Sequence, residues 1–356
     1  MKIQEVLSPA EMREFIQGSD FRGWLAVGTS WAMVAVCFAI VGVAFSEPFS
    51  ALVSGEVGMP AVWAARVVAL LVAITLIGGR QLAFGILMHD CSHFSLFRTR
   101  ALNNFCGQWL VGAPVWQHLY PYRDHHQRHH RWAGSPRDPD LDLVTGYPVS
   151  KASLRRKHAR DLLGPSGIKR LYGNLAMDFG FIAFTVSSRI DPTPRPGWGW
   201  VERIRFAVPL LGPVLLTNVA LWGILAAFGE GWLYWLWAVS YLTTFSLFIR
   251  IRSIAEHAGT QVAKEADADF ESSTKLDPKN TTRTTYANPL ARVTVAPHRV
   301  NYHLEHHLLM TVPYFKLPKL HRVLKERGAL QGAYLAANYG EVLRSISNGK
   351  TRTDTA

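Results

Sequence analysis

Three short stretches of this chain crowd imidazoles at spacings that a metal ion can use. "HDCSH" sets His89 and His93 four residues apart, which places both on one face of a helix. "HHQRHH" offers His126, His129 and His130 in an HxxHH pattern, and "NYHLEHHLLM" repeats it with His303, His306 and His307. A further histidine, His257, lies in "IRSIAEHAGT". A catalytic zinc takes three protein ligands and keeps one position open, so nine imidazoles exceed one ion. They suit two metals of four or five nitrogen ligands each. Imidazole binds Zn, Cu, Fe or Ni, so ligand type leaves the element open. Neutral ligands also leave the metals' charge intact, so nearby acidic groups are expected to orient the rings. Asp90, Asp124, Glu256 and Glu305 stand beside the boxes, and Asn301 is a further polar neighbour.

The elements that must position these residues are apolar runs. Residues 25–45 hold no charge over 21 positions, and a ~30 Å hydrocarbon layer needs about 20 residues of helix. A second run, residues 61–88, is interrupted by Arg66 and Arg80. It reads as a long helix with Arg66 snorkelling outward and its far end projecting beyond the membrane. The third and fourth, residues 206–228 and 232–249, are joined by a turn too short for anything but two antiparallel spans. The shorter stretches 101–116 and 171–186 are broken by Gly, Pro or Asp and suit helices lying in the membrane interface.

Charge sets the expected topology. Apart from Arg66 and Arg80, all of the lysines and arginines, 36 of 38, fall in the N-terminus, residues 89–205 and residues 250–356. Those segments must share one side, and the positive-inside rule makes it the cytoplasm. The net charge of +12 is then gathered on one face, where anionic lipid headgroups are the expected neighbours rather than nucleic acid. Three cysteines with no CxxC pair exclude a disulfide scaffold and a cysteine-rich zinc module. The polar opening "MKIQEVLSPAEMREFIQGSD" lacks the pattern of a cleavable signal peptide. A metal transporter would hold its ligands near the bilayer midplane on broken spans. Here every histidine lies at or beyond a span end, which counts against that class.

The ordered boxes "HDCSH", "HQRHH" and "HLEHH", with paired spans between the second and third, resemble those of the membrane-bound fatty acid desaturases and their hydroxylase relatives. The resemblance runs over roughly residues 60–325, through "VPYFKLPKLH". It implies an all-α integral membrane protein of four transmembrane helices, with a cytoplasmic helical cap holding two irons. The implied domain is residues 25–325, between an N-terminal segment 1–24 and a tail 326–356. Matched by position, the implied ligands are His89, His93, His126, His129, His130, His257, His303, His306 and His307, whereas His125 is not one. His118, His158 and His321 lie outside the boxes and are expected to tolerate substitution.

The resemblance further implies oxygen-dependent desaturation of a fatty acyl chain, with O2 as co-substrate and iron replaceable by zinc after overexpression. Hydroxylation or ketolation of a hydrocarbon or carotenoid, and oxidative decarboxylation to a terminal alkene, remain open. The loop "AGSPRDPDLD" resembles one in carotenoid ketolases. The first box is HxxxH, so acyl-CoA specificity does not carry over. The chain has no HPGG haem motif, no Cys-rich iron–sulfur site and no Gly-rich dinucleotide fingerprint. Electrons are therefore expected from an external ferredoxin, rubredoxin or cytochrome, docking on Arg123, Arg128, Arg131, Lys316, Lys319 and Arg322. The expected location is the inner (plasma) membrane if the source is bacterial, with both termini cytoplasmic.

Overall fold

The computed structural model describes residues 3–186, 195–262 and 276–347, so residues 348–356 of the tail lie outside the described part. Helix α1 (Pro9–Ile16) starts at a capping box in which Ser8 and Glu11 satisfy each other's backbone N–H groups. It is followed by α2 (Asp20–Phe45), a short α3 (Glu47–Val57) and α4 (Met59–Ser92). The stretch 46–60, free of basic residues, is therefore helical rather than a loop. Ser46 caps α3 by accepting from the Phe49 N–H, and Pro48 suits the first turn.

Four helices are long and apolar enough to cross a membrane: Pro9–Phe45, Met59–Ser92, Trp200–Ala227 and Gly231–His257. Each matches one of the expected spans, although the third helix ends at Ala227, one residue short of the expected 206–228. The 34 residues of α4 make about 50 Å of helix, well over the ~30 Å hydrocarbon layer. Its first half buries a stripe of Ala69, Ala73 and Ile77, while nearly every residue from Ile77 to Ser92 is buried. That buried end carries His89 into the cap. Arg66 reaches the far corner of the bundle, where its Nε donates to the Ala44 carbonyl and its Nη2 to Ser50 Oγ.

Between the second and third spans lies most of the cap. Helix α5 (Arg100–Phe105) runs into a π-helical turn, Cys106–Gly112, and a 3-10 turn, Ala113–Val115. Trp116 then takes a left-handed backbone, φ 53°, and the chain enters α6 (Leu119–Trp132). Helix α6 stops at Ala133, before Gly134 at φ 78°. Three more helices follow, α7 (Leu141–Val144), α8 (Lys151–Leu162) and α9 (Pro165–Asp178).

The third span is α10 (Trp200–Ala227), and the fourth is two helices, α11 (Tyr234–Leu242) and α12 (Thr244–His257). They part at Thr243 (φ −111°, ψ −89°), a break the uninterrupted apolar run does not announce. Two contacts stabilise the break. Arg170 of α9 donates to the Tyr241 carbonyl, and Thr244 Oγ1 donates to the Ile74 carbonyl at 2.7 Å. Thr244 comes so close to α4 that a Cβ on Gly78 would meet its hydroxyl at 2.1 Å.

The remainder closes the cap: α13 (Pro278–Thr281), strand β1 (Arg283–Thr285), α14 (Pro289–Val293), α15 (His303–Leu308), α16 (Leu317–Glu326), strand β2 (Tyr334–Ala336) and α17 (Tyr339–Ser345). The strands pair in parallel, Arg283 with Tyr334 through Thr285 with Ala336, a small departure from an all-helical cap. Leu317, Leu320 and Leu324 line one face of α16 and bury it against Ile3, Leu7 and Phe15. Each such side chain contributes about 1.5–3 kcal/mol. Outside that apolar seam, Lys319 pairs with Glu14 and Arg327 with Glu11. The N-terminal segment is thus clasped to the helix that follows the third box.

Candidate metal centre

The eight box histidines and His257 are all buried, and they fall into two groups. His89, His93, His126, His130 and His306 form one; His129, His257, His303 and His307 form the other. Within each, one nitrogen per ring lies within 4.8 Å of the others. Helix periodicity performs the division on α6. Residues 126 and 130 are one turn apart and enter the first group, while 129 is turned toward the second. Helix α15 divides likewise, giving His306 to the first group and His303 with His307 to the second. The groups abut, with the His130 and His307 ring centroids 4.2 Å apart.

Several rings hydrogen-bond outward through Nδ1. His89 meets Asp90 Oδ1 at 2.9 Å, His129 meets Asp138 Oδ1 at 2.8 Å, and His257 meets the Thr281 carbonyl at 2.9 Å. A carbonyl only accepts, so His257 carries its proton on Nδ1 and turns the bare Nε2 inward. The same pattern follows beside the two carboxylates. The inner nitrogens then crowd together: His126 to His130 at 3.0 Å, His130 to His306 at 2.9 Å, and His257 to His303 at 2.8 Å, all between Nε2 atoms. The buried Nε2 atoms of His89, His93 and His307 have no hydrogen-bond partner. Nitrogens converging this closely, with three more left unpartnered, are placed to bind a cation at the centre of each group. The donor set therefore fits one metal per group.

Protonation points the same way. Burial, reinforced by neighbouring charges, holds His93 down at about 3 and puts His126, His130, His303, His306 and His307 well below the usual imidazole range. These rings are neutral, the form that binds metal. His129 differs. Burial opposes its charge, but Asp138, then Asp140 and Glu256, outweigh that and raise its pKa.

Of the polar residues expected around the boxes, Asp90 bonds His89, and Glu256 Oε1 lies 3.6 Å from His303 Nδ1 while accepting from Arg252. The others are placed differently. Asp124 is exposed, because two residues before His126 is the far side of the helix. Glu305 turns away from the nine rings to His321 Nδ1, at 2.6 Å, and the Thr284 hydroxyl, at 2.5 Å. Asn301 is buried and its backbone carbonyl accepts from the Thr285 N–H. The sequence reading missed Asp138 and Asp140. Asp138 fixes His129, and Asp140 holds the non-box His125 at 2.7 Å. Their signal was the "DPD" that follows the second box after seven residues.

Two further expectations are revised. His321 is buried against Glu305. His118, also buried, meets Asp178 at 2.8 Å, and Trp116 donates to the same carboxylate, which ties the entry of α6 to α9. Neither is a dispensable surface group. Among the basic residues, Arg123 is bound to the Ser92 and Cys91 carbonyls and Asn104, Lys316 to the Glu14 carbonyl and Lys319 to the Glu14 carboxylate. Arg128, Arg131 and Arg322 are exposed.

Comparison with known proteins agrees with this geometry. The family model described as fatty acid desaturase matches residues 61–339. The chain is 27% identical over 274 residues to dihydrorhizobitoxine desaturase of Bradyrhizobium elkanii, covering 75% of this chain and 70% of that protein. It is 24% identical over 344 residues to the sn-1 oleoyl-lipid 12-desaturase of a Picosynechococcus species, covering 92% and 83%. It is 28% identical over 259 residues to the beta-carotene ketolase of a Paracoccus species, covering 70% and 79%.

Proposed function

The chain belongs to the fatty acid desaturase family, and from that premise we propose that it desaturates a fatty acyl chain with O2 at a pair of irons held by the nine histidines. The carrying observation is the division of nine buried, inward-facing imidazoles into groups of five and four. His89, His93, His126, His130 and His306 hold one ion; His129, His257, His303 and His307 hold the other. Bound there, the ion pair supplies dioxygen reduction and the oxidising power to take hydrogen from an unactivated carbon.

The protein's part is to keep the rings other than His129 neutral, aim all nine and exclude water. Asp90, Asp138 and the Thr281 carbonyl fix ring tilt, and the buried end of α4 closes the site from solvent. Reducing O2 to two waters takes four electrons, and forming the alkene supplies two. The other two come from an external acidic carrier of ferredoxin, rubredoxin or cytochrome type. Exposed Arg128, Arg131 and Arg322 support such docking, and turnover at limiting carrier is expected to fall with added salt. The lysine and arginine distribution supports a cytoplasmic cap with both termini on that side, which in a bacterial source would be at the inner membrane.

Lipid and hydrocarbon profiling of a host expressing the chain, beside a His306→Ala control, tests this. New alkenes in acyl chains are the expected result, and a profile identical to the control would sink it. A second reading, oxygenation of a hydrocarbon or carotenoid, is favoured by the likeness to the beta-carotene ketolase. It would appear in the same profile as an alcohol or ketone. A terminal alkene one carbon shorter would indicate decarboxylation.

A further inference from the structure

A small cavity lies against the two groups, lined by His89, His303 and His306 together with Ile86, Asp90, His298, Val300 and Leu317. It touches rings of both groups, so it is where a carbon atom can approach both. His298 belongs to neither group, and nothing in its sequence spacing marks it.

Its backbone does mark it. His298 is left-handed (φ 47°, ψ 37°), and Arg299 follows at φ 60°. Two consecutive non-glycine residues in this region cost on the order of 1–3 kcal/mol each and persist only where the surroundings fix them. Here the surroundings do. His298 Nε2 lies 3.0 Å from Ser30 Oγ. The Ser30 hydroxyl hydrogen already goes to the Ala26 carbonyl at 2.8 Å, so its oxygen accepts and Nε2 carries the proton. The ring also meets Tyr314 edge-on, with centroids 5.3 Å apart. Burial, then the positive charge of Arg80, holds the His298 pKa down at about 3. The imidazole is therefore neutral, with its lone pair on Nδ1 and its position fixed from α2.

We propose that His298 is a specificity-determining residue: its fixed ring lines the cavity beside rings of both groups and sets which carbon of a chain reaches them. This rests on the proposed oxidation at the two groups.

The test uses the full-length enzyme and substitutions that spare the backbone. Glycine is at home in the left-handed region, so His298→Gly removes the wall while relieving strain. His298→Asn also tolerates that backbone and keeps a smaller polar group. Metal per chain, the position of the new double bond and the kcat/KM ratio for palmitoyl against stearoyl lipid are measured. Both variants are expected to keep the wild-type metal content. His298→Gly should shift the substrate ratio or the site of oxidation by about tenfold, with His298→Asn intermediate and Ser30→Ala smaller in the same direction. An unchanged ratio and position in an active His298→Gly enzyme would overturn the inference. So would loss of metal from that variant, which would make the ring a support of the clusters. Wild-type enzyme that oxidises neither chain would overturn the underlying reading of function, and this inference with it.

Discussion

The two imidazole groups are built differently. In the five-ring group, four members are pairs one helical turn apart, His89 with His93 and His126 with His130. The carboxylate that fixes His89 is the next residue, Asp90. The four-ring group has one such pair, His303 with His307 on α15, and takes single rings from α6 and α12. Asp138 holds the outer nitrogen of His129 and the Thr281 carbonyl that of His257, both from beyond their own helices, and Glu256 lies 3.6 Å from His303. Local helix geometry thus pairs four of the five rings of the first group but only two of the four of the second, whose other rings depend on separate parts of the cap. The second should therefore be more sensitive to changes away from its ligands.

The largest expected effect tests whether the groups are separable. His89→Ala, His126→Ala, His257→Ala and His306→Ala should each abolish turnover while the protein still enters the membrane. Metal analysis should give two equivalents for the wild type and a fall toward one in each variant. Loss of both ions from one substitution would show that the groups do not stand independently. The next effect sharpens the contrast. Asp138→Asn should weaken metal at the four-ring group by about 10–100-fold, read by chelator titration, and leave the five-ring ion close to wild type. Equal weakening of both ions would dissolve the distinction.

His321→Ala probes what the groups share. It strips buried Glu305 of an ionic hydrogen bond on α15, which serves both, at a cost of about 1.5–3 kcal/mol. Thermal inactivation should come earlier, with both ions lost together. The smallest effect is expected at His158→Ala, where a half-buried ring whose Nε2 lacks any partner is removed. Activity and stability should stay within about 0.5 kcal/mol of wild type. Inactivity equal to that of His126→Ala would reopen the division into two groups.

What could be read from the sequence follows the same line. The four apolar runs were legible because a bilayer imposes a length, and the boxes were legible because helix spacing imposes a pattern. The break at Thr243 was not, since it depends on Arg170 and on the close approach to Gly78. Asp138 escaped notice because its partner is defined by the turn after α6, and His298 because its place in the cavity wall comes from a left-handed backbone and from Ser30 on another helix. The clasp of α1 on α16 was likewise invisible, because amphipathic stretches near opposite ends of a sequence do not name each other.

That clasp has a consequence for the order of synthesis. Lys316 and Glu14 are bonded across 302 positions, and α15, just before α16, supplies ligands to both groups. A chain emerging from the ribosome lays down all four spans and the first two boxes, yet it can complete neither cage until its final stretch arrives. A metal ion bound there would thus gain its full set of ligands only when the protein around it is nearly finished, and a product truncated before α15 would lack ligands of both groups.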